Sequence, residues 1–132
     1  MMTTVVDFAV GLLVLNAMWD LLSACIILAD FAFGSRLSVH MALWAEPEDR
    51  ENRAAMLLTA GLVFQWGCVR LLACEDFEAR WPDAAFTYWL EGALVGLCTS
   101  TGRMHIGRGS VVVFLCFCCW EALVVAGLEG AE

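Results

Sequence analysis

Apolar residues fall into four long blocks along this chain, at about 5–30, 54–74, 84–101 and 110–128, with short polar stretches between them. Each block is close to the roughly 20 residues of helix that a hydrocarbon core about 30 Å thick requires. None alternates apolar with polar as a membrane strand would, so the pattern predicts helices. The third block carries Glu91 and ends in the polar run Cys98-Thr99-Ser100-Thr101. The expectation is an all-α fold, an integral membrane four-helix bundle forming one domain over residues 1–132.

The connectors add detail. In the first, 34–53, Leu37, Met41 and Trp44 recur on one helical face, which predicts a short interfacial helix between spans one and two. Pro47 suits the first turn of a helix, and Glu46, Glu48 and Asp49 complement the positive end of its dipole. The second helix is therefore expected to begin near Pro47, with Glu46–Arg50 and Asp49–Arg53 as i,i+4 pairs. The second connector, 75–83, is acidic and places Trp81-Pro82 just ahead of span three. The third, 102–109, is glycine-rich and basic. The apolar start lacks a basic n-region and exceeds the usual 7–15 residues of a secretory h-region, so it reads as a retained span.

Composition supports the membrane reading. The chain is 61% apolar and 17% charged, with a mean hydropathy of +0.76, against about 45–50% and about 25% for soluble domains. So many apolar residues exclude disorder. A net charge of −8 without a single lysine excludes a nucleic-acid binder. Arg36, Arg50 and Arg53 fall in connector one, Arg103 and Arg108 in connector three, and Arg80 alone in connector two. The positive-inside rule then makes connectors one and three cytoplasmic and leaves both termini exterior or lumenal.

Every span carries strongly polar residues, and a charge at the bilayer centre costs about 2.5–3.5 kcal/mol on insertion scales. Such groups are expected to face inward and find partners. Counted from the exterior end of each span at 1.5 Å per residue, Arg70 lies about 6 Å deep, Glu121 about 10 Å and Glu91 about 12 Å. These three are expected to share one layer, with Asn16 at about 16 Å and Asp20 at about 22 Å below it. One arginine pairs bidentately with one carboxylate. The other carboxyl must then take a proton or reach water. Asn16, Asp20, Ser23, Ile27 and Asp30 recur at helical spacing, which marks an interior stripe of the first helix.

Other chemistry is thin. Seven cysteines take the place of small apolar residues rather than forming a disulfide framework. A closed zinc site needs four ligands, and His40 and His105 both lie on connectors, so no metal or cofactor is implied. Arg36, Arg103, Arg108 and His105 are placed to touch anionic lipid headgroups. The expected partners are the bilayer and a larger membrane complex or a second copy.

Two functions fit. One is a non-catalytic subunit, assembly factor or scaffold whose buried charges fix helix packing. The alternative is a lipid- or sterol-type binding protein, isomerase or proton-coupled carrier built on Arg70, Glu91 and Glu121. Small size favours the first and polar density the second. The two separate on whether the charges surround a ligand-sized cavity or are packed dry.

Overall fold

The computed structural model describes residues 3–131. They form helix α1 (Thr3–Phe33), a 3-10 turn (Met41–Leu43), a single helical turn α2 (Pro47–Arg50), and helices α3 (Arg53–Glu75), α4 (Phe77–Ser100) and α5 (Ile106–Gly130), with no strand among the described residues. Three helices are long and apolar enough to cross a membrane: Val5–Phe33, Arg53–Glu75 and Ile106–Gly130. Their outer faces expose large apolar side chains such as Phe8, Leu15, Leu58 and Phe114. So much exposed apolar surface marks a membrane protein. Helix α4 is long enough but more polar, since it carries Glu78, Arg80, Asp83 and Glu91.

Packing is paired. Helix α1 lies along α3 and α4 along α5, and the α3–α4 and α1–α5 contacts between the pairs are sparser. At the end that holds both termini, one core draws on all four long helices: Ala9 and Leu13, Ala73, Phe77 with Ala84, Ala85 and Tyr88, and Leu123 with Ala126. Toward the other end the cores belong to α1, α3 and the first connector only. There Ala24 meets Val63 and Trp66, and Ile27 meets Met41 and Ala60. The two pairs are joined at one end and part at the other.

Small residues set the α4–α5 approach. A Cβ on Gly127 would run into the Trp81 ring, and one on Gly92 would stand 3.3 Å from Cys116 Cβ. Glycine at such points lets two helix backbones come close.

The two connectors at the parted end are stitched together. Ala45 N–H donates to the Arg103 carbonyl (2.9 Å), His105 N–H to the Leu43 carbonyl (2.8 Å), and the Arg108 guanidinium to the Ala42 carbonyl (3.0 Å). Asp30 anchors the first connector by accepting from Ser35 Oγ (2.6 Å) and from the N–H groups of Leu37 (3.1 Å) and Ser38 (2.8 Å).

Several local expectations are corrected. Residues 37–44 form only the 3-10 turn over Met41–Leu43, and with Met41 buried and Leu37 exposed the two share no face. Pro47 starts α2, which stops after four residues. Helix α3 begins at Arg53 instead, where the Asn52 side chain caps Ala55 N–H (2.9 Å). The pairing expected of Arg50 and Arg53 gives way to backbone contacts. Arg50 donates to the Trp44 and Ala45 carbonyls. Arg53 donates to the Phe31 carbonyl and lies over the Phe31 ring. The second connector shrinks to Asp76, and Trp81-Pro82 falls inside α4. Proline there forfeits only the hydrogen bond to the Glu78 carbonyl.

Gly127→Val is expected to cost about 1–3 kcal/mol by overpacking Trp81. Gly61→Ala, whose new Cβ meets nothing within 4 Å, should change stability by less than about 1 kcal/mol. Thermal unfolding of the purified variants in detergent checks this, and equal midpoints would refute the close α4–α5 approach.

Candidate functional site

Arg70 is the largest of the fully buried side chains, at 1% exposure. Its guanidinium binds three side chains from two helices. Nη1 donates to Asp20 Oδ2 on α1 (2.6 Å), Nη2 to Glu91 Oε2 on α4 (2.6 Å), and Nε to Thr87 Oγ1 on α4 (3.0 Å). The Thr87 hydroxyl in turn donates to the Ala84 carbonyl (2.7 Å). The guanidinium lies 3.7 Å from the centroid of the Tyr88 ring and 6.0 Å from that of Trp66. Such geometry is favourable by roughly 0.5–2 kcal/mol where water is excluded.

Local sequence explains the assembly. Thr87, Tyr88 and Glu91 stand at i, i+1 and i+4, so they share one face of α4. Gly67 lies one turn before Arg70, and a Cβ there would come within 3.1 Å of Asp20 Cβ. Lacking one, α3 sits close enough to α1 for Asp20 to reach the arginine.

Of the expected layer of Arg70, Glu91 and Glu121, the first two meet and the third does not. Glu121 is exposed. Its level is right: Gly92 faces Cys116, Gly96 faces Val113 and Gly109 faces Thr99, which sets Glu121 beside Thr87. Its direction is wrong. Cys116, Leu123 and Ala126 form the buried stripe of α5, and Glu121 is two residues, about 200°, from Leu123.

Asp20 takes the vacant place in the layer. Counting from its own end set it too deep, because α1 overshoots α3. The Cys74 thiol near the end of α3 lies 3.9 Å from the Val10 carbonyl, so the first turns of α1 project beyond α3 by roughly 10 Å at 1.5 Å per residue. The interior stripe is as expected: Asp20, Ser23, Ile27 and Asp30 are all buried. Asn16 is half-buried, and its amide donates to the Leu12 carbonyl (3.1 Å).

The cluster is not packed dry. A cavity of about 360 Å³ occupies the space where the helix pairs part, with Asp20, Arg70, Tyr88 and Glu91 at one end and His40, Trp44 and Met104 at the other. Its walls are apolar, with Trp19, Trp66, Val63, Leu94 and Val95 among them, and Asn16 also reaches it. That volume falls within the roughly 300–1,000 Å³ of small-molecule sites. Two buried polar atoms have no hydrogen-bond partner among the described residues, Tyr88 Oη and His40 Nδ1. Both residues line this cavity.

Nothing in the hydropathy pattern singles out His40, Trp66, Thr87 or Tyr88. The i, i+4 spacing of Thr87 to Glu91 is the one signal that points to any of them. Arg36, Arg103 and His105 on the connectors and Arg108 in the first turn of α5 lie apart and exposed, with Arg36 paired to Glu51. Among the described residues no three of His, Cys, Asp and Glu converge as metal ligands.

Burial holds the His40 pKa below its ordinary 6.5, with Glu91 opposing and Arg70 assisting. No protein-family model, curated protein or solved structure matches the chain.

Two predictions follow from this geometry. Arg70→Leu strands two carboxylates and should destabilise by about 3–5 kcal/mol, a cost seen on breaking buried pairs in soluble proteins. Adding Asp20→Asn and Glu91→Gln together should recover much of it, whereas Glu121→Gln alone should change stability by less than about 0.5 kcal/mol. Urea or thermal unfolding in detergent measures all three. For His40, the unfolded chain takes up a proton below about pH 6.5 that the folded ring refuses. Stability should therefore fall as pH drops from about 6.5 toward the depressed folded pKa, and His40→Gln should flatten that part of the pH–stability curve. An unchanged slope in the variant would contradict a buried neutral ring.

Proposed function

We propose that this chain is a four-span membrane protein that holds an apolar small molecule of lipid type inside its bundle. Helix α4, more polar than the other three, is carried across by turning Thr87 and Glu91 inward to Arg70. Both termini face the exterior or lumen and the two stitched connectors face the cytoplasm, in keeping with Arg36, Arg50, Arg53, Arg103 and Arg108 at that end. The observation that carries the reading is the cavity of about 360 Å³ with the Arg70 cluster and two unpartnered polar atoms in its lining. A cluster serving only to fix helix packing needs no such space beside it. A buried polar atom without a partner costs about 1–3 kcal/mol, a penalty that an occupant able to hydrogen-bond would lift.

One observation favours a second reading, that of a subunit in a larger membrane complex. Glu121 is exposed on α5 beside the exposed Phe117, where lipid would be a poor neighbour for a carboxyl. A partner helix bearing a hydrogen-bond donor would answer it.

Purification from native membranes with mass spectrometry of co-eluting molecules tests the first reading. The wild type should carry an apolar molecule in roughly equimolar amount. A Val95→Trp variant, which fills the cavity, should lose it while keeping its fold. A wild type with no bound molecule, or equal loading in the variant, would favour the subunit. Orientation is tested separately, since a C-terminal reporter active only in the cytoplasm should be silent.

A further inference from the structure

We infer that the occupant of the interior cavity is a lipophilic amine, an apolar body with one cationic head held between Asp20 and Glu91. This rests on the binding reading above and names its ligand class.

The charge count comes first. One guanidinium faces two carboxyls, and each gives it a single oxygen, Oδ2 of Asp20 and Oε2 of Glu91. The second oxygens, Oδ1 and Oε1, receive nothing from the arginine. With both carboxyls ionised the cluster lacks one positive charge. A cation bound at the free oxygens completes an alternating arrangement of guanidinium, carboxylate, cation and carboxylate. Unlike charges then lie adjacent throughout, in surroundings where a net charge is costly.

Hydrogen-bond capacity points the same way. Nη1 and Nη2 of one guanidinium hold one oxygen of each carboxyl, and both acids line the cavity. Tyr88, only 2% exposed, lines the same end with its hydroxyl oxygen unpartnered. Its ring is fixed by the guanidinium stacked on its face. A primary ammonium has three N–H donors, Asp20 Oδ1 and Glu91 Oε1 carry acceptor capacity that the arginine leaves unused, and the unpartnered Tyr88 hydroxyl belongs to a residue of the same lining. An anionic head would face two carboxylates. A neutral alcohol has a single donor and leaves the charge uncompensated.

The walls suit the rest of such a molecule. Trp19 and Trp66 lie near the charged end, where aromatic faces attract a cation. The apolar lining from Val63, Leu94 and Val95 continues toward His40 and Trp44. His40 is neutral at pH 7, because its pKa is held below 6.5, and it adds no positive charge to compete with the head.

Three ten-carbon probes with the same tail test this on the full chain in neutral-detergent micelles at pH 7: decylammonium, decanol and decanoate. Each is titrated while tryptophan fluorescence and the thermal midpoint are followed. Decylammonium should bind at least about tenfold more tightly than decanol and raise the midpoint, with decanoate weaker still. Glu91→Gln should remove most of the preference for the amine while leaving decanol binding in place. Tyr88→Phe should weaken decylammonium a few-fold without unfolding the protein. Val95→Trp should abolish all binding, which separates the cavity from the micelle. If decanol binds as tightly as decylammonium to the wild type, the cavity reading stands and the amine inference is overturned. If no probe binds, or binding survives Val95→Trp, the cavity reading itself fails and the amine inference with it.

Discussion

A guanidinium that is always charged and cannot reach water has to find its counter-charges within the protein. Arg70 does so by drawing Asp20 from α1 and both Glu91 and Thr87 from α4 onto one side chain of α3. Three helices are thereby fixed in register and rotation at a single level. Slipping any of them by one residue would turn a polar group by about 100° toward the surroundings. The apolar contacts around it are less selective, since Ala, Leu and Val surfaces can slide past one another at small cost. The glycine at position 67 belongs to the same constraint, because a Cβ there would press on Asp20.

The cavity follows from this placement. Toward the termini all four helices share a core, and the small residues Ala9, Ala73, Ala84, Ala85 and Ala126 let them meet closely. Beyond the arginine the α1–α3 and α4–α5 pairs separate, with the larger Trp66, Leu94 and Val95 standing around an opening instead of filling it. The stitched connectors close the far end. The charged cluster thus borders both the packed half and the open half. Its structural role and a role in binding do not compete, since each carboxyl gives the arginine only one of its two oxygens.

Much of the architecture was legible in the chain. Hydropathy alone placed four helical blocks and an interior polar stripe on the first. It failed where azimuth or end-to-end overlap mattered. Depth counting set Glu121 at the correct level but carries no information on which way a side chain points. The spacing of Cys116, Leu123 and Ala126 holds that information, because those residues define a buried stripe that excludes Glu121. Counting each helix from its own end places Asp20 too deep, because α1 projects past α3. The connector residues Leu37 and Met41 have helical spacing, yet Asp30 captures the backbone at Leu37 and Ser38 and leaves room for a single tight turn. Tyr88 and His40 could not have been found from sequence, because a missing hydrogen-bond partner is a property of three-dimensional packing alone.

The most direct test of the central arginine is nitrogen-15 NMR of the seven arginine side chains in detergent. A guanidinium held by two carboxyls at once cannot rotate freely about its Nε–Cζ bond. One arginine should therefore show separate, slowly exchanging Nη1 and Nη2 signals at pH 7, absent in Arg70→Lys and collapsed to an average in Asp20→Asn. If that set of signals is missing from the wild type, or persists in Arg70→Lys, Arg70 is not the bridge between α1 and α4.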